Sequence, residues 1–319
     1  MLRPATKHGA RGLARRLHPA PARAVLYRDA MHHLRRRGRR RLRGLAVALS
    51  ALAVLAALLL PRTGHAQQNF FNVPASEVTR QGKVFFQEQV NVLTSQKKLQ
   101  SNSHFAYGIG AQLELGLNIS HVNIKPFSRR VLPINTRDRS EPYSPLVLGT
   151  AQKSFAVGDH FLFAVGTQTG VNFGAPLEQK ALATLSYANA VVLLPRPHAR
   201  LVAGVYYGNT TFLGAGAGPG VWLGAEVQVL PERIHLVVDW ISGSHDLGLG
   251  VVGANVFFSR NVSLVFGPIL PNPGSGNGTG YVLELNMLDL LGTLGIDDDD
   301  DERPRAHGSV SRARPALAW

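Results

Sequence analysis

Leu113-Glu114-Leu115-Gly116-Leu117-Asn118-Ile119-Ser120 alternates without a break: Leu113, Leu115, Leu117 and Ile119 fall on one face of an extended chain, and Glu114, Gly116, Asn118 and Ser120 on the other. Successive side chains of a strand point to opposite faces, so a period of two marks a sheet with one apolar and one polar side. The pattern recurs along the chain. Phe161, Phe163, Val165, Thr167, Thr169, Val171 and Phe173 oppose Ala164, Gly166, Gln168, Gly170 and Asn172. Val221, Leu223, Ala225, Val227 and Val229 oppose Trp222, Gly224, Glu226 and Gln228, and Leu283, Leu285 and Met287 oppose Glu284 and Asn286. No convincing amphipathic helix interrupts this succession between Lys83 and Leu290.

The connections alternate too. Short links at Gly110-Ala111-Gln112, Gly158-Asp159, Pro195 to His198, Pro231 to Arg233 and Ser259 to Asn261 are interleaved with longer or glycine-rich ones, of which Lys125 to Ser144 is the longest. Their Gly, Pro, Asn and Asp residues suit turns. Together they predict about twelve strands, within a range of 10 to 14, in an all-β, antiparallel up-and-down arrangement. Two of the expected strands run over 199–213 and 247–258.

An apolar face could be the core of a soluble sandwich or the lipid side of a transmembrane barrel. Three features favour the barrel. Many segments reach the roughly 9–11 residues that a tilted strand needs to cross a bilayer. Short turns on one side and long loops on the other are the asymmetry of outer-membrane barrels, whose even strand number brings both termini to the periplasm. Aromatic residues gather near strand ends: Phe161, Phe163, Phe257 and Phe258 beside short turns, and Tyr206, Tyr207, Phe212, Trp240 and Tyr281 towards the loops.

Charge is unevenly distributed along the chain. Residues 1–66 carry fifteen of the 34 Lys and Arg and one of the 20 acids, which leaves nineteen of each sign in 67–319, so the net +14 belongs to the leader. A basic chain invites a nucleic-acid partner, and that reading fails for the balanced remainder. The Arg-rich block at Arg35 to Arg43, the 17-residue run Gly44 to Leu60, and the small residues Gly64 and Ala66 are the parts of a secretory signal cleaved after Ala66, with Met31 as the expected true start. An uncleaved inner-membrane anchor holding a periplasmic protein is the alternative. The expected organisation is therefore 1–66 leader, 67–82 periplasmic segment, 83–290 barrel, and 291–319 a disordered tail, Asp-rich and then Arg-rich.

Units such as Tyr107 to Leu117 and Val238-Asp239-Trp240-Ile241-Ser242-Gly243 resemble those of uncharacterised or transporter-like bacterial outer-membrane β-barrel proteins, over about residues 70 to 290. The resemblance implies an outer-membrane location, secretion and barrel-assembly machinery as partners, and no catalytic residue. One departure is the 29 residues after Leu290, since such barrels usually end on an aromatic residue of the last strand.

Catalytic and metal signals are weak. There is no cysteine. Asp297 to Asp301 has no turn to arrange calcium ligands. Ser244-His245-Asp246 are adjacent, and a relay needs residues from separate segments. His104, His121, His160, His198 and His235 show no pairing by spacing, although His235 and Asp239 share a face and read as a hydrogen-bonded pair. The expectation is a non-enzymatic protein without a cofactor: a narrow pore or small-solute transporter, or alternatively a structural barrel displaying loops. No spare domain is large enough to plug the lumen. Its lining is expected to include Glu114, Asn118, Gln168, Glu226, Gln228, His235, Asp239 and Glu284. Unpaired inward acids would favour cations among the small solutes, unless hydrogen bonds or Arg200 neutralise them.

Overall fold

Alternating segments with turn residues between them have one way to pair every backbone group without an edge, which is to close. The structure is a computed structural model and describes residues 70–294. Twelve strands form a closed antiparallel barrel: β1 (Val84–Leu93), β2 (Lys98–Gly110), β3 (Leu113–Ile124), β4 (Leu146–Val157), β5 (Phe161–Asn172), β6 (Leu182–Leu194), β7 (Ala199–Gly208), β8 (Gly218–Leu230), β9 (Ile234–Ile241), β10 (Leu249–Phe257), β11 (Val262–Pro271) and β12 (Gly280–Met287). Each strand pairs with its sequence neighbour, and β1 pairs with β12 from Phe86↔Met287 to Val92↔Tyr281. The expected leader, the cleavage site after Ala66 and most of the tail lie outside the described residues.

The five short turns share one end of the cylinder with the start of β1 and the end of β12, and the other six connections, which include all the long loops, share the other. Two of the short turns are tight for local reasons. The β2–β3 turn passes through Gly110, Ala111 and Gln112, all at positive φ, and the β4–β5 turn uses Gly158 at φ 61°.

The outer wall is apolar almost throughout. Leu115, Leu117, Val165, Val205, Leu223, Leu236, Val252 and Leu270 are each between 44% and 57% exposed. Monomeric soluble proteins rarely expose an apolar surface of this extent, and it has the composition of a lipid-facing one. Its polar exceptions satisfy one another. The Glu88 carboxylate accepts the hydroxyls of Ser101 at 2.6 Å and Ser103 at 2.5 Å, and Thr167 bonds Ser186 at 3.0 Å. Phe161, Phe163, Tyr207, Trp240, Phe258 and Tyr281 face outward. Tyr206, Phe212 and Phe257, grouped with them on sequence, are buried inside.

The inner wall has two sectors, where alternation alone suggested one uniform polar lining. On β6 to β12 it carries a continuous buried apolar cluster, with Leu185, Val191, Val202, Trp222, Ile241 and Ile269 among its members, alongside charged groups at Arg200, Glu226, Asp239 and Glu284. On β1 to β5 it is mostly carboxamides and hydroxyls, Gln87, Gln89, Asn91, Gln100, Asn118 and Gln152 among them.

The chain before β1 occupies this interior. Residues 70–82, expected on sequence as a segment outside the barrel, run within the cylinder and leave it at the short-turn end, where Gly82 donates its N–H to the Gly108 carbonyl at 2.9 Å. Phe70, Phe71, Val73 and Ala75 join the apolar cluster. At the long-loop end, a single turn of helix, α1 (Thr210–Leu213), folds inward over the mouth. It starts at Asn209, whose side chain accepts the Phe212 N–H at 3.1 Å, and it buries Phe212 and Leu213.

Candidate functional site

The inserted segment and the inner wall together form the candidate site. Asp239 of β9 points inward and receives the backbone N–H groups of Asn72 at 2.5 Å and Val73 at 3.1 Å. These are backbone donors that no sheet or helix would satisfy, and a carboxylate is a strong acceptor for them. Asn189 of β6 donates to the Pro74 carbonyl at 2.8 Å, and Gln152 of β4 donates to the Glu77 carbonyl at 2.7 Å. Glu114 of β3 accepts both the N–H of Thr79 at 2.7 Å and its hydroxyl at 2.8 Å. Four strands therefore hold one irregular segment by its backbone.

Ionic contacts fix its lower half. Arg200 of β7 binds Glu77 of the segment at 2.9 Å and Glu226 of β8, and Glu226 also accepts from His235 of β9. The Arg200 guanidinium lies 4.8 Å from the centre of the Phe70 ring. His235 thus pairs with Glu226, while Asp239, its expected partner, is taken by the segment. His235 and Asp239 lie four residues apart on one strand, about 13 Å at the rise of an extended chain, with Val237 between them, whereas Glu226 is brought across from β8, next to the His235 register partner Gln228.

The expected lumen residues all face inward, with distinct fates. Glu226 and Asp239 are consumed as described, and Glu284 receives an amide hydrogen of Asn286 at 2.8 Å. Gln228 lines a small cavity of about 40 Å³ with Glu77, His198 and Arg200. Asn118 donates to Gln168 at 3.0 Å. Of the two alternatives for the inward acids the neutralised one fits: the inserted backbone, Arg200 and His235 occupy Glu114, Glu226 and Asp239, and Asn286 bonds Glu284.

Between the segment and β1 to β5 lies a cavity of about 140 Å³, reaching from Glu77 and Glu114 at the short-turn side to Asp246 and Phe212 under the long loops. Residues that periodicity missed enter here. Ser101 pairs with Val122 and Ser103 with Ile119, so Ser120 and His121 together oppose Asn102 in a β-bulge. The bulge turns both Ser120 and His121 inward, with His121 at φ 58° and its N–H on the Asn102 side chain at 2.9 Å. Beyond it the phase of β3 inverts, so that Asn123 rather than Val122 is buried. His121 Nε2 is 3.9 Å from Asp246.

The adjacent Ser-His-Asp trio forms no relay. His245 Nδ1 accepts the Leu247 N–H at 3.2 Å, so its Nε2 carries the hydrogen and meets the Tyr206 hydroxyl at 2.6 Å. Tyr206 in turn donates to the Ser242 carbonyl at 2.7 Å. Both ring nitrogens are engaged without Ser244, and burial holds the ring below the ordinary histidine value. No group of His, Asp and Glu among the described residues is arranged to hold a metal ion.

No family model matches the chain, and no curated protein matches it. Among solved structures it is similar to the outer membrane channel DcaP of Acinetobacter baumannii, at 9% identity and a TM-score of 0.28, over 64% of this chain and 71% of that one. At that score the likeness bears on neither fold nor function.

Proposed function

We propose that this chain is an outer-membrane pore for small polar solutes, held shut by its own N-terminal segment. The observation that carries the reading is the pairing of a polar inner sector, which runs along β1 to β5 beside a cavity, with a segment tied into the lumen mainly by hydrogen bonds and ion pairs. Hydrogen bonds of this kind can be exchanged for bonds to water at modest net cost, whereas extracting a fully apolar core segment is far more expensive. Four apolar side chains of the segment oppose its release, which favours a mostly closed state.

The apolar outer wall supports the membrane location, as do the strand lengths of 8 to 13 residues and the segregation of turns and loops to opposite ends. The short turns and the entry of the segment then face the periplasm. A second reading, a filled structural barrel that displays its loops, is favoured by α1 and the buried cluster beneath the long loops. Planar-bilayer recording of the refolded chain separates the two. The pore reading expects brief openings from a closed baseline, and a permanently silent membrane containing correctly folded barrel supports the structural reading.

A further inference from the structure

Resting on the pore reading, we infer that the cavity along β1 to β5 is a binding site for an uncharged, hydroxyl-rich solute, a small polyol. Its wall carries carboxamides from five strands and the segment: Gln89, Gln100, Asn118, Gln152 and Gln168 line it together with Asn72. A carboxamide presents both a donor and an acceptor, as does a hydroxyl, so such a wall matches a chain of hydroxyl groups without requiring charge.

Several of the residues that line this space carry a buried polar atom with no protein partner. The atoms are Glu77 Oε2, His104 Nε2, Asn118 Oδ1 and His121 Nδ1. Asn118 and His121 are only 6% and 4% exposed. Buried polar atoms left unmatched are costly, so these side chains favour a ligand that both gives and takes hydrogen bonds over an apolar one. Two of the four atoms are carboxyl or amide oxygens that need donors, and an imidazole nitrogen can serve either way.

Charge argues for a neutral occupant. No Lys or Arg lines the cavity, which disfavours an anion. Of its carboxylates, Glu77 is paired with Arg200, Glu114 is filled by Thr79, and Asp246 faces His121 and Gln100. The volume of about 140 Å³ exceeds the roughly 30 Å³ share of one water several times over, and suits a polyol of four or five carbons.

The test is saturation-transfer NMR on the refolded full-length protein with xylitol, glycine betaine and potassium chloride as probes. Xylitol should give transfer from the protein, betaine should not, and potassium should not compete. Asn118→Leu, which keeps the inward position and removes the carboxamide, should weaken xylitol about 5-fold, the effect of one hydrogen bond. His104→Phe should weaken it similarly, so that the result does not hang on one variant's folding. Absence of xylitol transfer means that the cavity holds water only and overturns the inference, as does competition by potassium. If xylitol binds while bilayers containing the protein stay silent, the site stands and the pore reading fails. If bilayers conduct while xylitol does not bind, the pore stands and the solute class is wrong.

Discussion

Asp239→Ala isolates the main backbone anchor of the inserted segment. The carboxylate receives two N–H groups, at 2.5 and 3.1 Å, inside a wall where it is 1% exposed. Hydrogen bonds to a charged group contribute about 1.5–3 kcal/mol each, and the lower figure applies because water can enter the space that the side chain leaves. The segment should therefore lose about 3 kcal/mol of its hold, a factor of more than 100 at about 1.4 kcal/mol per tenfold change. The assay is hydrogen–deuterium exchange of the peptide containing Asn72 and Val73, with β5 and β6 peptides as internal controls. Exchange of the segment should accelerate by about two orders of magnitude while the strand peptides stay protected. If Asn72 and Val73 exchange at the unsubstituted rate, packing of Phe70 and Phe71 alone holds the segment and the reasoning fails.

Facing and pH give two further tests. Leu117→Arg places a cation on the exposed outer wall and should cost about 2–4 kcal/mol in folding into bilayers, whereas Asn118→Arg, one residue away, points into the polar sector and should cost less; equal costs measured by urea titration would reject the lipid-facing assignment. Burial keeps the His245 ring below its ordinary value, so the open loop takes up a proton more readily than the closed one. The stabilising contribution is complete above the free histidine value near 6.5 and is lost as pH falls below it. Leu247, whose N–H rests on His245 Nδ1, should lose exchange protection between pH 7.5 and 5 after correction for intrinsic rates, and His245→Gln should remove that dependence.

The closed twelve-stranded barrel was legible because alternation is a local property. Each of Leu115, Val165 and Leu223 carries its own assignment to the outside, and the turn residues separate the strands. What remained hidden depends on partners distant in sequence. The bulge opposite Asn102 reverses the phase of β3 after Ser120, and nothing within the stretch from Ser120 to Asn123 announces it. The extended reading of 199–213 ran past Gly208 because Asn209 caps a helical turn whose Phe212 and Leu213 mimic a strand end. The segment itself left a trace. Phe70, Phe71 and Val73 are apolar without alternating, and such side chains need a place to be buried. Room for one of these rings comes from a small inward residue: a Cβ on Gly224 would stand 2.7 Å from Val202 and 3.2 Å from Phe70. Which of the inward acids are paired was not legible either, since three of the four, Glu114, Glu226 and Asp239, anchor the segment or the ion pairs beneath it through partners distant in sequence.

If the segment closes the pore, a reversible tether between it and the barrel wall will lock the channel shut. Asn72 and Gln89 touch side chain to side chain at 3.0 Å, and the chain has no cysteine of its own. Asn72→Cys with Gln89→Cys, joined by a short cleavable bis-thiosulfonate cross-linker, pins the segment to β1. Single-channel recordings should show no openings while the tether is intact, and openings like those of the unsubstituted protein once a reductant is added to the same membrane. Openings that persist with the tether intact would place the conducting path elsewhere and contradict the account.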